Sequence, residues 1–577
     1  MRKFFKVLGI ILAVLLLIIA GALIYINYNA ETIADKMLTK YYQEQPISKV
    51  YDISYSDINI DLLSISVVFH DLKIKPRQSF FDGSDSLRLS HPVVFDAEIE
   101  KLSVNGLARN LSFNLKKIHL GTVRITNPHI VMIEHLTDVE KQAAKEMQKS
   151  KKADTASSDQ KIKGITIHSF VLTDGSFSRM LRPQNLELAS VGDIDVTIRK
   201  IDVPFDKVAE TFAADAFART DIHLGAISYQ LPKGFYQLKA ADVSINGGDS
   251  IITIKDFELI PLFDKKEFGW KVGKQTDRME LQVAMLEIRD FDLGKFVAND
   301  TIHIRNIIID EAKLVAYRDK NVPFDHAQRP LLPQQMLAAL PMLVDVEKVE
   351  VRNADILYQQ LNPGANAVGE VPIERLYGTV YNVTNIKSVI SRRGAMMWDV
   401  QAVFFDKGKM KVEIMFPKNI ESADFSFTAT MESMPANGFN QFVVPTEGMK
   451  VEEGTINSLW LKADAGGESA TGLMVLNYAN LKVALLKDKS EKSPEKNKIL
   501  SFVANVVIKT SNQNPADTAV MYFERNKEKA IFDYLAKTVM SGLKATMLPG
   551  KQNEDKKEEH INRREERKAK RAKGKSS

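Results

Sequence analysis

Residues able to do chemistry are present in this chain, but not at the spacings that chemistry requires. The ten histidines are scattered, with no His-Glu-x-x-His or His-x-His pair to hold a metal. Ser541-Gly542-Leu543-Lys544 fits the Ser-x-x-Lys pattern of an acylating serine. A four-residue match arises by chance, however, and this one lies on an amphipathic stretch. No phosphate-cradling glycine loop and no Gly-x-Ser-x-Gly elbow occurs. The absence of cysteine removes disulfide, zinc-thiolate, iron–sulfur and cysteine-nucleophile chemistry together. Asn110, Asn299 and Asn382 open glycosylation sequons, which carry no catalytic meaning. The expectation is a protein that is not an enzyme, with no metal site and no cofactor.

The elements that would position any site begin with a membrane segment. Residues 7–30 carry no charge, and Val7 to Ile26 is almost wholly apolar. Twenty helical residues rise about 30 Å, the thickness of a bilayer core. Val7, Leu12, Leu16, Ile19 and Leu23 would face lipid as the anchor. Arg2, Lys3 and Lys6 precede the run, so the N-terminus is expected in the cytoplasm and the body outside. The alternative is a cleaved signal peptide, with Ala20-Gly21-Ala22 as the small-residue site. The net charge of +5 resides in the tail: residues 551–577 carry eleven Lys/Arg and six Asp/Glu. The rest balances to zero and offers no basic field, so nucleic acid is not an expected partner. The basic end of the tail, 567–577, reads as a solubilising extension or a contact for anionic headgroups.

Beyond residue 50 apolar and polar residues alternate with period two. Met410, Val412, Ile414 and Phe416 form one run, Phe425, Phe427, Ala429 and Met431 another. Ile58 and Ile60 belong to a third, followed by Ile65, Val67 and Phe69. Such strands have one apolar and one wet face. The segments 123–132, 170–178, 307–316 and 349–358 share a loose design: apolar run, Asn/Asp/Gly/Ala cluster, apolar run. They read as hairpin corners of a repetitive meander. On that reading the body holds roughly 30–35 strands at about 4.8 Å spacing. Thr137-x-x-Glu140 reads as a capping box opening a charged helix, and 149–161 as a polar linker. Helices are expected near 205–218, 333–344, 436–443 and 526–547. The last carries Ile531, Leu535, Val539 and Leu543 on one face, either to lie on a membrane surface or to cap the sheet.

The anchor leads directly into YSDINIDLLSISVVFHDLKIKP (55–76) and LKKIHLGTVRITNPHIVM (115–132). This opening is similar to that of the AsmA-like family (the AsmA, TamB and YhdP type), bacterial relatives of the bridge-like lipid transfer proteins. Residues 500–544 resemble the closing segment of a shorter AsmA-like branch. The resemblance covers both ends and extends to the middle only in texture. It implies a mainly β fold: a single N-terminal transmembrane helix, then an elongated, curled antiparallel sheet forming an apolar groove, with few short helices. It also implies an inner-membrane protein with a periplasmic body that conducts phospholipid toward the outer membrane. Val412, Ile414, Phe416, Phe425, Phe427, Ile58, Ile60, Val67 and Phe69 would then line the groove. Shielding acyl chains at about 0.8 kcal/mol per CH₂ is what such a surface supplies. Two alternatives stay open: a β-sandwich that buries its own apolar faces, and an assembly or envelope-integrity factor with outer-membrane or periplasmic protein partners. The segments expected are a stub and anchor (1–30), a β segment (31–136), a helix and linker (137–163), a β body (164–524), an amphipathic helix (525–548) and a charged tail (549–577).

Overall fold

The computed structural model describes residues 46–61, 66–82, 85–106, 118–137, 139–142, 144, 164–204, 217–293, 295–296, 300–486, 509–514 and 517–547. The anchor residues Val7, Leu12, Leu16, Ile19 and Leu23, the linker at 149–161, most of 205–218 and the tail lie outside these. Among the described residues no helix is long and apolar enough to cross a membrane. The protein is mainly β, with a large sheet and few helices. Two compact units divide the chain: residues 1–232, 237–256 and 290–299, and residues 233–236, 257–289 and 300–577.

The first unit contains β1 (Tyr51–Ser54), β2 (Asp57–Asp61), β3 (Ser66–Pro76), α1 (Gln78–Phe81), α2 (Asp85–Ser90), β4 (Val93–Val104), β5 (Ile118–Glu134), β6 (Gly164–Leu181) and β7 (Leu186–Pro204). Four short strands follow: β8 (Thr220–Leu224), β9 (Ile227–Gln230), β10 (Tyr236–Ala240) and β11 (Asp242–Asn246). The partition falls within β12 (Ile251–Pro261). β3, β4 and β5 pair antiparallel in sequence, whereas β5 and β6 pair parallel. A parallel pair needs a crossover, and the segment after β5 supplies it. The expected capping box is there: Thr137 N–H donates to Glu140 Oε2 (2.8 Å) and Glu140 N–H to Thr137 Oγ1 (3.3 Å).

The second unit contains α3 (Phe268–Val272), β13 (Asp277–Arg289), β14 (Thr301–Asp319), α4 (Pro333–Ala338), β15 (Leu343–Leu361), β16 (Gly369–Thr384) and α5 (Lys387–Arg393). It continues through β17 (Met397–Phe404), β18 (Gly408–Met415), β19 (Phe425–Met431), β20 (Met434–Pro435), α6 (Asn440–Glu447), β21 (Met449–Ala465), β22 (Ser469–Leu485), β23 (Ala519–Glu524) and α7 (Ile531–Met547). β13 to β23 pair mostly antiparallel, but β14 and β15 are parallel. The all-antiparallel expectation is therefore corrected by one parallel pair in each unit.

The four repeated segments are not hairpin corners. Each lies inside one long strand: β5, β6, β14 and β15. Their turn-type residues Asn127, Asp174, Glu311 and Asn353 have φ of 48°, 57°, 51° and 51°. β5 and β6 stay in step past these residues, from Thr126↔Thr173 to His129↔Ser176. A residue in the left-handed region within a continuing strand is a bulge, and Asn and Asp tolerate it best. Their side chains also fasten neighbouring strands, as Asn127 Nδ2 donates to Glu100 Oε2 (3.1 Å). Reading one bulged strand as two inflates the count, and the described residues form 23 strands.

Candidate functional site

The second unit carries two different treatments of an apolar sheet face. Over β17–β23 the face is sealed. Ile414, Phe416, Phe425, Phe427, Met431, Leu461, Met474, Leu476, Met521 and Tyr534 are all buried in one cluster. Ile531 of α7 is a buried member, and Leu535, Val539 and Leu543 pack against it. The stripe considered for a membrane surface thus faces the protein's own sheet, as the capping alternative has it. Gly542 sets the approach, since an added Cβ would stand 2.6 Å from Met521 and 2.8 Å from Met474. Ser541 is a structural tie: its hydroxyl donates to Thr538 O (2.7 Å) and accepts from Tyr522 N–H (3.0 Å). The Ser-x-x-Lys match therefore sits at a helix–sheet joint.

Over β13–β16 the face is finished differently. Strand register places Val283 beside Ala312, Leu281 beside Leu314, Met279 beside Ala316, and Asp277 beside Arg318. Leu314 then neighbours Ile356, Ala316 neighbours Tyr358, and Arg318 neighbours Gln360. Ile356 and Tyr358 stand opposite Ile373 and Val371. Bulges keep these residues on one face: the apolar step lengthens from two to three between Ile309 and Ala312 and between Val351 and Ala354. Only Val283, Ala312 and Ala354 of the associated cluster are buried, while Phe257, Leu281, Leu286, Ile309, Val351 and Leu376 are half-buried. Leu314 and Ile356 are half-buried too, and Met279 is exposed. Every member of this cluster lies on a strand, whereas the sealed cluster draws on α7.

The apolar rows run into a polar one. Arg318 grips Asp277 through two bonds of 2.7 and 2.6 Å. Burial, then the Asp277 carboxylate, acts on this guanidinium, and the net effect raises its pKa. Burial pushes the Tyr358 phenol up to about 12. Its hydroxyl donates to Gln360 Oε1 (3.0 Å). Lys320, at the end of β14, is depressed by burial and then by the positive charges of Lys537, Lys529 and Arg318, with Glu447 opposing. Lys537 belongs to α7, so the helix that seals one stretch brings a cation to the rim of the other. The arrangement is an apolar strip about four strands wide ending in a charged margin, where Lys320 and Lys537 stand beside the neutral Arg318–Asp277 pair and Asp533 and Glu447 oppose them. It can hold an amphipathic molecule, and no metal-ligating cluster occurs among the described residues.

The expected groove residues fall into separate places. Ile414, Phe416, Phe425 and Phe427 are buried in the cluster that α7 joins, and Val412 packs at the edge of the same cluster. Val67 and Phe69 are buried in the first unit, with Ile58 and Ile60 half-buried against them. The strip residues Leu281, Leu314, Ile356 and Ile373 were missed. Their signal was present in 307–316 and 349–358, but the bulge residues hid the face they share.

Compared with known proteins, the chain matches no family model and no curated protein.

Proposed function

We propose that this is a non-enzymatic protein that holds phospholipid or a similar amphipath on the half-buried strip of β13–β16 and passes it along its sheet. The observation that carries the reading is the join of that strip to the margin where Lys320 and Lys537 stand beside the Arg318–Asp277 pair. Acyl chains would lie on Leu281, Leu314 and Ile356, gaining about 25 cal/mol per Å² covered, with an anionic headgroup at the cations. The resemblance to AsmA-like proteins and the apolar N-terminal run point the same way, toward a curled groove on a membrane-anchored envelope protein. The sealed stretch under α7 acts as a stop at one end of the strip.

Lipid mass spectrometry on the full-length protein, purified in mild detergent, tests the reading. Stoichiometric phospholipid is expected, with loss on Leu314→Asp, which puts a charge on the strip. A lipid-free protein, or equal lipid in that variant, would overturn it.

A further inference from the structure

Strands β4–β7 of the first unit and β13–β16 of the second share one backbone plan. In each set the outer pairings are antiparallel and the central one, β5 with β6 or β14 with β15, is parallel. Left-handed residues fall at matching places. Asn127 and Glu311 have φ of 48° and 51°, and Asp174 and Asn353 of 57° and 51°. Asp193 and Arg375 follow at 47° and 48°, and Lys200 and Asn382 at 56° and 58°. The register slips match as well. They fall between Leu172, Gly175 and Phe177 in β6–β7, and between Val351, Ala354 and Ile356 in β15–β16. Val93 pairs with Glu134 where Asp277 pairs with Arg318. Every left-handed residue with a side chain costs backbone energy. Four of them kept in phase through two stretches of largely different sequence mark a duplicated module.

Phase fixes which residues share a face. Ile130 lies three residues after Asn127, as Leu314 does after Glu311, and Phe177 stands to Asp174 as Ile356 does to Asn353. The row Ala97–Ile130–Phe177–Val191 joins partner to partner across β4–β7. It is the counterpart of Leu281–Leu314–Ile356–Ile373. Ile130, Phe177 and Val191 are half-buried, as Leu314, Ile356 and Ile373 are, and Ala97 is buried. The opposite face of this stretch has its own cover, since Val94 and Ile133 are buried with Phe80 of α1. The margin is kept although its residues change. Glu134 stands at the place of Arg318, and Arg179, at the place of Tyr358, donates to it through Nε (2.7 Å). A carboxylate–guanidinium pair therefore closes this row as Asp277–Arg318 closes the other. Lys141 stands 3.5 Å from Glu134.

We infer that the row Ala97–Ile130–Phe177–Val191 is a second site for phospholipid acyl chains, so that the protein holds two amphipaths, one in each unit. This rests on the carrier reading of β13–β16 and adds to it a site and a stoichiometry. Full-length protein purified in mild detergent is read by native mass spectrometry, with two bound phospholipids expected. Ile130→Asp and Leu314→Asp should each leave one and the double variant none, because rows without a shared partner lose their ligands independently. A single lipid that Leu314→Asp removes and Ile130→Asp retains overturns this proposal and leaves the carrier reading standing. Both lipids retained in the double variant, or a lipid-free unaltered protein, overturns the two together. Where Ile130→Asp fails to fold, benzoylphenylalanine at Ile130 takes its place, with Arg124 on the other, exposed face of β5 as the control. Phospholipid adducts are expected at Ile130 and not at Arg124. Adducts at Ile130 to the chain alone, with lipid still captured at Leu314, overturn the second site.

Discussion

Within the second unit, β17–β23 and β13–β16 use the same alternation of apolar and polar residues to opposite ends. In the first stretch Phe425 and Tyr534 meet with rings 6.0 Å apart, and α7 packs against β22 and β23. In the second the apolar rows stay half-buried and end at Arg318 and Lys320. Period-two alternation thus specifies a greasy face, while the partner for that face is specified elsewhere. For Phe425 it comes from Tyr534 of α7, 109 residues further along the chain. The small residue Gly542 lets that helix come close.

Truncation should separate the two stretches most widely. Phe427→Ala in the sealed cluster is expected to cost about 3–5 kcal/mol. Leu314→Ala on the strip is expected to cost about 1–2 kcal/mol, because a half-buried side chain loses less. Urea denaturation measures both, and equal costs would erase the distinction. Gly542→Val comes next, at about 1–3 kcal/mol through overpacking against Met521 and Met474. If α7 is the seal, the same variant should raise proteolysis within β21–β23 while leaving β13–β16 unchanged.

Acid should act on the strip's stretch first. On the wet face of β15, Glu350 bonds Lys348 (2.6 Å) and Arg352 (2.8 Å). Those hydrogen bonds, Lys348's first, hold its pKa near about 2 against an ordinary 4.5. A depressed carboxylate stabilises the fold above its unfolded pKa and loses that contribution as pH falls through the folded one. The contribution, about 1–2 kcal/mol after solvent screening, should therefore vanish between pH 4.5 and about 2. Glu350→Gln should remove this pH dependence, read by hydrogen exchange of β14–β16. The smallest effect expected is a gain. Lys320 is depressed below 10.5, so its charged form weakens the fold at neutral pH and the penalty fades as pH rises through its folded pKa. Lys320→Met should stabilise the protein by about 1 kcal/mol at neutral pH while lowering its affinity for anionic lipid.

Much of the fold was legible in sequence because alternation is a local property. Ile414, Phe416, Phe425 and Phe427 do share a face, and α4 and α7 lie within the stretches expected to be helical, while α6 overlaps the expected 436–443 and runs on to Glu447. The repeated segments were also visible, but what they repeat was not. Asn127, Asp174 and Asn353 have the chemistry of turns, and a bulge uses the same left-handed conformation as a turn. Whether the chain reverses there depends on the next strand's register, which is a tertiary fact. The strip was hidden for the same reason, since Ile309 and Ala312 look out of phase until Glu311 is recognised as the inserted residue. The burial of Phe425 was illegible because Tyr534, whose ring meets it, is remote in sequence.

A photo-crosslinking pair probes the division between sealed and accessible faces most directly. Benzoylphenylalanine is placed at Leu314 or at Phe427 in the full-length protein, irradiated in native membranes and read by mass spectrometry. The strip position is expected to yield phospholipid adducts, and the enclosed position adducts to the protein's own buried cluster alone. Lipid on neither position, or on Phe427 in preference to Leu314, would contradict the account.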